Sequence, residues 1–229
     1  KVIDHNLALL PTGKELGVIH FVTAGTFSIY AGTSAGTVEM MPTVCIHTFE
    51  LPLYLWADGV RNGVHAVTPS NRHIPPQCID PKMKNRSRMH YWLAEKEARM
   101  VDPKAAVLLL DLEGNVTEFS GGNILIVQNG TIVSPTLRNS LPGLSRQTVI
   151  ELADKLGIPF EERDFQVFDV CNADEAFESS TPFCLRPVTR INNMTVGDGK
   201  PGPICGRLQK AWSELVGVDV VAQILGDVE

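Results

Sequence analysis

The hydrophobic and polar positions of this chain form short runs that predict a mixture of strands and helices. Runs rich in β-branched and aromatic residues at 17–22 and 43–48 predict two strands, and the Gly/Ser/Thr-rich stretch 24–36 between them is typical of a loop. A third strand is expected at 64–68. The Pro-rich segment 69–81 that follows carries no helix signal.

The succession of predicted strands is interrupted around residues 56–63, and this interruption indicates a domain boundary. We predict a first domain at 1–57, a linker at 58–63 and a larger second domain at 64–229. No internal repeat or low-complexity tract interrupts either part.

The segment 84–101 predicts a helix, because it is rich in Ala, Leu, Met, Glu, Lys and Arg and contains neither Gly nor Pro. Residues at i, i+3, i+4 and i+7 of a helix lie on the same face. Four side chains follow that spacing: Lys84, Ser87, Arg88 and Tyr91. Such a face is compatible with a solvated surface and with the lining of a cavity.

Residues 105–118 and 124–133 each predict a β-hairpin. In each of them two apolar runs flank a turn signal, Glu113-Gly114-Asn115 in the first and Asn129-Gly130 in the second. This arrangement indicates antiparallel strand pairs in the second half of the chain.

A helix is expected after Pro142-Gly143, where Ser145 can serve as the N-cap and Gly157 ends the apolar helical spacing. Three later elements follow from the same patterns: strands at 176–179 and 188–191 and a helix at 206–215. Together these elements predict an α/β fold class.

The composition is typical of a globular protein that acts on a small molecule. Of the 229 residues, 44% are hydrophobic and 20% are charged, and the formal net charge is −6. Lys and Arg are scattered along the sequence, so it lacks the basic footprint of a nucleic-acid-binding protein. No apolar run reaches the roughly 18 residues of a membrane-spanning helix, and we expect no membrane insertion.

The cysteines and histidines predict neither disulfides nor a metal site. The five cysteines are an odd number, are widely spaced and include no Cys-x-x-Cys pair. The six histidines do not pair at i, i+4 on a predicted helix, nor do they cluster with cysteines or carboxylates. We therefore expect reduced thiols, a cytoplasmic location and no bound metal.

Several motifs gain meaning from their order along the chain. They are Lys84-x-x-Ser87-Arg88-Met89, Leu110-Asp111-x-x-Gly114-x-Val116-Thr117-Glu118, Asn123, Leu141-Pro142-Gly143-Leu144-Ser145-Arg146 and Ala173-Asp174-Glu175-Ala176-Phe177. In this order they resemble the class-IV aminotransferases, which include branched-chain aminotransferases, D-amino-acid aminotransferases and aminodeoxychorismate lyases. Each motif alone is weak, and the resemblance covers about residues 80–203.

The resemblance implies a fold, a cofactor and an assembly. The fold would be the α/β (α+β) arrangement of fold type IV, with a small N-terminal domain followed by a larger barrel-like domain surrounded by helices. The cofactor would be pyridoxal 5′-phosphate, and the assembly a homodimer with the active site near the interface. Family members usually have a longer N-terminal domain, so we expect this chain to begin inside that domain.

Lys84 matches the lysine that carries pyridoxal phosphate covalently in the family. This role favours an amine that is readily desolvated, because only the neutral amine attacks an aldehyde. Lys82 is a rival, but the family pattern Lys-x-x-(Asn/Ser)-Arg-(Leu/Met) fits Lys84. A lone lysine at a helix end would be an ordinary surface residue, and the accompanying motifs favour the functional role.

The resemblance also assigns partners to the cofactor ring. Glu118, at the end of a hairpin strand, matches the acidic residue that keeps the ring nitrogen protonated, so that the ring can accept electrons from the broken Cα–H bond. Gly121 and Asn123 match the loop that shapes the site. Taken alone, a glutamate at a strand end would be a solvated surface residue.

A phosphate site is expected at the start of the helix after Gly143, because a helix N-terminus offers unpaired N–H groups and the positive end of its dipole. The resemblance gives this place to the cofactor's phosphate. Leu144 and Ser145 would bind it, and Thr181 would reach in from a later segment. The alternatives are that Ser145 is only an N-cap and Thr181 only a strand-end hydroxyl.

Residues that face the substrate are less strongly indicated. Tyr30, Arg88 and Tyr91 are candidates, although packing or surface charge also explains each of them. Pro182 stands where branched-chain enzymes offer a backbone N–H to the substrate carboxylate, and proline has no N–H to donate. Met89 stands where those enzymes have a tyrosine, which is similar to the D-amino-acid enzymes and the lyases.

The implied activity is transfer of an amino group between an amino acid, of branched-chain or D type, and a 2-oxo acid. Two alternatives remain open: a lyase that uses the same lysine and cofactor to release pyruvate, and a family member without catalytic activity. A serine hydrolase is excluded because Gly143-Leu144-Ser145-Arg146-Gln147 lacks the second glycine of a nucleophile elbow. The expected partners are these small molecules and a second copy of the chain, with neither nucleic acid nor membrane.

Overall fold

Residues 1–52 form a small unit, and its described residues contain one helix and two strands. The computed structural model describes residues 1–25 and 41–226, and the chain divides into units 1–52 and 53–229. The first unit contains α1 (Val2–Leu7), β1 (Leu16–Thr23) and β2 (Thr43–Glu50). β1 and β2 pair antiparallel along their whole length, which confirms the two predicted strands. Most of the expected loop, with Tyr30, lies outside the described residues.

The second unit contains the remaining elements in an alternation of strands and helices. In chain order they are α2 (Tyr54–Asn62), β3 (Val64–Val67), α3 (Met89–Val101), β4 (Ala106–Leu110), β5 (Val116–Phe119), β6 (Asn123–Gln128), β7 (Thr131–Ser134), α4 (Leu144–Lys155), β8 (Phe160–Glu162), α5 (Val167–Cys171), β9 (Glu175–Ser180), β10 (Cys184–Ile191), β11 (Met194–Thr195), α6 (Pro203–Val216) and α7 (Val220–Gly226). β4 pairs antiparallel with β5, and β6 with β7, as the two hairpin signals predicted.

Six strands of the second unit close into a ring. The order around it is β3, β4, β5, β6, β9 and β10, and β10 returns to pair with β3. The β10–β3 and β3–β4 pairs are parallel, whereas the other four neighbouring pairs are antiparallel. β7, β8 and β11 extend the sheet beyond this barrel. The predicted α/β class with a barrel-like large domain is therefore confirmed.

The alternation of strand side chains separates two layers of the core. Ile124 and Ile126 of β6 belong to a cluster that draws on all six barrel strands, so this cluster fills the interior. Their neighbours Leu125 and Val127 pack against α4 and α6 outside the barrel. All four are almost completely buried, and each contributes about 1.5–3 kcal/mol by leaving water.

Residues 58–62 of the expected linker lie in a helix, and Gly63 is the C-cap of that helix. α2 begins at Tyr54 and buries Ala57 and Val60. It packs against β10 and α7, both in the second unit. The compact units accordingly divide between Pro52 and Leu53, ahead of the expected boundary, because this amphipathic helix buries its apolar face against the barrel.

The helix predicted over 84–101 begins later, at Met89. In the preceding segment Ser87 donates its backbone N–H to Oδ1 of Asn85 at 3.0 Å. Such local side-chain bonds offer the backbone an alternative to the helical ladder. Lys84 therefore precedes the helix, and the predicted helical face that begins with it does not form.

Glu175 of β9 caps the N-terminus of α6. Its Oε1 accepts the backbone N–H of Ile204 at 2.8 Å, and its Oε2 accepts that of Cys205 at 3.0 Å. The residue is buried, and a carboxylate also complements the helix dipole there. Because hydrogen bonds to a charged group contribute about 1.5–3 kcal/mol each, we expect the loss of both bonds in Glu175→Ala to lower the free energy of unfolding by about 3–6 kcal/mol in urea denaturation. Glu175→Gln should lose about half as much, and equal stability of the alanine variant would contradict the capping role.

Candidate active site

A cleft of about 290 Å³ in the second unit brings most of the predicted site residues together. It lies where the segment before α3, the β5–β6 turn, the start of α4 and the end of β9 meet. The predicted residues that line it are Lys84, Arg88, Tyr91, Glu118, Gly121, Asn123, Leu144, Ser145 and Thr181. Pro182 instead lines a second cavity of about 360 Å³, which shares Phe119, Ser120, Gly121 and Ser180 with the cleft. Tyr30 lies outside the described residues.

Glu118 is buried and has four hydrogen-bonding neighbours. Its Oε1 accepts the hydroxyl of Tyr91 at 2.9 Å and lies 3.2 Å from Nε2 of His73. Its Oε2 accepts the backbone N–H of Leu141 at 2.9 Å and the side-chain amide of Asn123 at 3.3 Å. Only 7% of the residue is exposed, so this strand-end carboxylate is not the solvated surface group that its position alone would suggest.

His73 is a site residue that the sequence analysis missed. It lies in the Pro-rich segment 69–81, and its backbone N–H donates to the carbonyl of Leu110 at 2.8 Å. This bond ties the segment to β4 and places the ring beside Glu118. The sequence shows only a histidine in a Pro-rich segment, and this pattern does not indicate which side chain the histidine contacts.

The pKa values of Tyr91 and His90, near Glu118, are shifted in opposite directions. Burial and the neighbouring carboxylate raise the pKa of Tyr91 well above its usual value, so its hydroxyl stays protonated and remains a donor. Burial lowers the pKa of His90, and the neighbouring side chains of His73 and Arg88 lower it further, whereas Glu118 raises it. His90 is therefore neutral at pH 7.

The start of α4 lies against Asn123. Gly143 is the N-cap of this helix, so the prediction that Ser145 is the N-cap was wrong, and Ser145 is the second helical residue. Asn123 fixes the approach by donating to the carbonyl of Leu141 at 2.9 Å. A Cβ atom on Gly143 would lie 2.1 Å from Oδ1 of Asn123, so the close approach requires glycine.

We expect Gly143→Ala to lower the free energy of unfolding by about 1–3 kcal/mol, because the added methyl must displace Asn123 or the helix start. Urea denaturation measures the loss. Gly206→Ala is the matched control, since that glycine lies inside α6 with open space around it and its replacement should gain up to about 1 kcal/mol. A Gly143→Ala protein as stable as the wild type would show that the side chain of Asn123 can move aside without a cost in stability.

A buried hydroxyl without a partner lines the cleft beside Asn123. Register places Glu118, Asn123 and Ser179 next to one another on β5, β6 and β9, so their side chains share a face. Ser179 is 1% exposed, and its hydroxyl has no hydrogen-bond partner among the described residues. The neighbouring Ser180 instead donates to the carbonyl of Gly121 at 2.7 Å, whereas Thr181 is exposed. A buried hydroxyl without a hydrogen-bond partner costs free energy. A bound ligand that pairs with the hydroxyl of Ser179 would remove this cost.

Lys84 and Lys82 both line the cleft, and both are exposed. The assignment of Lys84 therefore depends on the sequence motif, and its amine is more solvated than the expected chemistry favours. Arg88 donates to the carbonyl of Ser120, and its guanidinium lies 4.4 Å from the centre of the Tyr91 ring. This arginine is thus already engaged within the protein.

The described residues, 1–25 and 41–226, contain neither a membrane-spanning helix nor a cluster of metal-ligating side chains. None of the helices there combines the length and apolar character that crossing a bilayer would need. Nor do His, Cys, Asp and Glu side chains of that part assemble in a group of three or more that could hold a metal ion.

The fold is that of the class-IV aminotransferases. Residues 18–191 match the family model for amino-transferase class IV, and the chain belongs to this family. It is 31% identical over 171 residues to the branched-chain-amino-acid aminotransferase of Escherichia coli, a match that covers 74% of this chain and 55% of that protein. It is 34% identical over 158 residues to the probable branched-chain-amino-acid aminotransferase of Thermotoga maritima, covering 69% and 57%.

Solved structures agree with the sequence relatives. The crystal structure of the Escherichia coli branched-chain amino acid aminotransferase aligns with a TM-score of 0.74 at 29% identity, covering 78% of this chain and 59% of that one. The branched-chain aminotransferase of the archaeon Thermoproteus uzoniensis, solved with norvaline, aligns with a TM-score of 0.74 at 27% identity, covering 93% and 66%. Another branched-chain amino acid aminotransferase, solved with pyridoxamine 5′-phosphate, aligns with a TM-score of 0.77 at 27% identity, covering 88% and 65%. The chain spans 27% to 59% of the lengths of similar curated relatives.

Proposed function

We propose that this chain is a pyridoxal-phosphate-dependent aminotransferase that moves an amino group between an amino acid and a 2-oxo acid. The observation that carries the proposal is the buried carboxylate of Glu118, held by donors in the same cleft as Lys84 and the start of α4. Membership of the class-IV family supports the reaction class.

The residues of the cleft fit the proposed cofactor. Glu118 would hold the protonated ring nitrogen, and the backbone N–H groups of Leu144 and Ser145 at the start of α4 would hold the phosphate. The hydroxyl of Ser179, which has no partner among the described residues, would be an additional hydrogen-bond donor to the cofactor. Thr181 is a further candidate, because it is exposed at the same cleft.

Lys84 would act as the base and acid of the reaction. When bound, pyridoxal phosphate stabilises the negative charge that develops at Cα of the amino acid. The Nζ of Lys84 would take the proton from Cα of the amino acid. In the second half of the reaction, it would return a proton to Cα of the 2-oxo acid that receives the amino group. Asn123 and Gly121 would keep the β5–β6 turn in the shape that presents Glu118.

For the substrate, we propose a branched-chain amino acid, with a D-amino acid as the second candidate. The branched-chain names of the relatives support the first. Met89, which stands where branched-chain enzymes carry a tyrosine, favours the second. Pro182 cannot donate an N–H, so carboxylate recognition would come from other groups. We also propose a homodimer, which light scattering on the full-length protein would test.

A lyase is the second candidate reaction, favoured by the same Met89. The deciding experiment incubates the full-length protein with pyridoxal phosphate and offers L-leucine, L-valine, D-alanine or 4-amino-4-deoxychorismate, each with and without 2-oxoglutarate. Oxo-acid formation that requires the acceptor supports the aminotransferase. Pyruvate release from 4-amino-4-deoxychorismate without an acceptor would replace it with the lyase. Failure of the full-length protein to bind the cofactor would indicate a non-catalytic family member.

A further inference from the structure

The proposed reaction leaves the buried histidine of the cleft without a role. His73 is 7% exposed, yet both of its ring nitrogens have partners. Nδ1 lies 3.0 Å from the carbonyl oxygen of Ile74, which can only accept, so Nδ1 carries a proton. Nε2 lies 3.0 Å from the hydroxyl of Tyr91 and 3.2 Å from Oε1 of Glu118. The three side chains therefore form a triangle of polar contacts.

The protons of this triangle can be counted. Tyr91 has one hydroxyl proton, and it can serve one side of the triangle at a time. If Glu118 were ionised and His73 neutral, the lone pairs of Oε1 and Nε2 would face each other at 3.2 Å with no proton between them. One additional proton removes this repulsion, and it lies either on Glu118 or on Nε2 of His73.

The second oxygen of the carboxylate favours the histidine as the holder of that proton. Oε2 of Glu118 accepts two further donors, the N–H of Leu141 and the amide of Asn123. Hydrogen bonds to the charged form of a carboxylate favour that form. The additional proton therefore belongs on Nε2, and His73 and Glu118 form an imidazolium–carboxylate pair with charge-assisted bonds.

The charged groups that surround His73 are compatible with a positive ring. On the α3 side, His90 meets it edge-on with 5.9 Å between ring centres and is neutral at pH 7, while Arg88 lies across the Tyr91 ring. On the other side, His73 borders a small cavity of about 100 Å³ lined by further charged residues, which are Asp111, Glu113 and Arg138. Arg138 pairs with Glu113 at 2.9 Å, which leaves a net negative charge in that set.

We propose that His73 is a positioning residue that keeps a proton on Nε2 and thereby holds Glu118 ionised in the cleft. The importance of this carboxylate for catalysis rests on the proposed function, because Glu118 is the expected partner of the cofactor's ring nitrogen. The protonation of His73 itself depends only on contacts within the chain. The two parts of the inference can therefore be tested separately.

The first test measures the ring protonation of His73 by ¹⁵N NMR of the full-length protein without cofactor at pH 8, where a free histidine is only about 3% protonated. We expect the imidazole signal that disappears in His73→Gln to show protons on both nitrogens in the wild type and to become singly protonated in Glu118→Gln. A wild-type His73 with its only proton on Nδ1 would overturn the proposal.

His65 provides an internal reference for this spectrum. Its Nδ1 lies 2.8 Å from Asp102, and its Nε2 contacts the carbonyl of Asn192, so it also lies between two acceptors. The substitution Asp102→Asn should change the signal of His65 and leave that of His73 in place. A change at His73 in this variant would mean that the spectrum reports a global rearrangement, and the proposal would lose its support.

The second test measures pyridoxal phosphate binding to the full-length protein. His73→Leu, which cannot donate a hydrogen bond, should bind about tenfold more weakly, and His73→Gln, which can, should recover most of the affinity. If His73→Leu binds as tightly as the wild type, the positioning role is overturned while the enzyme proposal stands. If the wild type binds no cofactor, the proposed function fails, and the NMR spectrum still decides the protonation of His73.

Discussion

Lys84→Ala is expected to lower aminotransfer by at least about 10³-fold and to abolish covalent attachment of pyridoxal phosphate. General acid and base groups contribute about 10²–10⁴-fold, and this lysine would also serve as the nucleophile. Borohydride reduction of the full-length protein with bound cofactor, followed by peptide mapping, locates the attachment, and steady-state kinetics gives the loss of kcat.

Lys82→Ala is the matched control for this prediction. Both lysines line the cleft, both are exposed and both lie ahead of α3, so they differ mainly in their register within the motif. We expect Lys82→Ala to keep the covalent label and most of the activity. A label that maps to Lys82, or an active Lys84→Ala enzyme, would show that the motif was aligned in the wrong register.

Arg186→Met is expected to lower the free energy of unfolding by about 3–5 kcal/mol at pH 8. Glu178 is 1% exposed, and Arg186 bonds its Oε2 through Nε at 2.7 Å. Removing one partner of a buried ion pair leaves an uncompensated charge, which is the costly outcome. Adding Glu178→Met should restore most of the stability, because a packed apolar pair replaces the ion pair. Urea denaturation of the wild type, the single variant and the double variant measures both effects.

The cost of Arg186→Met should shrink as the pH falls. Burial raises the pKa of Glu178, and Arg186 opposes the rise, so the pKa should be higher still in the variant. A group with a raised pKa in the folded state favours folding at low pH and loses that contribution as the pH rises through this value. The variant should therefore be closer to wild-type stability at pH 5 than at pH 8. Lys104→Met, which breaks an exposed pair with Asp58, should have little effect at either pH.

Local sequence signals predicted the strands and hairpins well. The turn at Glu113-Gly114-Asn115 and the apolar runs on either side of it were sufficient to predict β4 and β5. Closure of the barrel through β3 and β10 could not be predicted in this way, because pairing between distant segments leaves no local pattern. The predicted start of α3 was wrong for a different reason. The side chain of Asn85 accepts the backbone N–H of Ser87, and this bond competes with helix formation.

The candidate site was predictable where it depends on ordered motifs. Glu118 and Ser145 were identified because each lies in a motif, and the structure brings both into one cleft. His73 was missed because its importance arises from a tertiary contact with Glu118 across 45 positions of sequence. The N-cap of α4 was assigned to Ser145 by residue preference, whereas the close approach to Asn123 favours Gly143.

The parallel pair between β3 and β10 cannot form until late in the synthesis of the protein. Val64 pairs with Val188, so β3 emerges from the ribosome roughly 120 residues before its partner, a delay of about 6–25 s at usual elongation rates. Until β10 arrives, one edge of β3 has no strand to pair with, and open strand edges are templates for aggregation. Pairing between strands so far apart in sequence favours slow folding, and the nascent chain carries an open edge on β3 until β10 has been made.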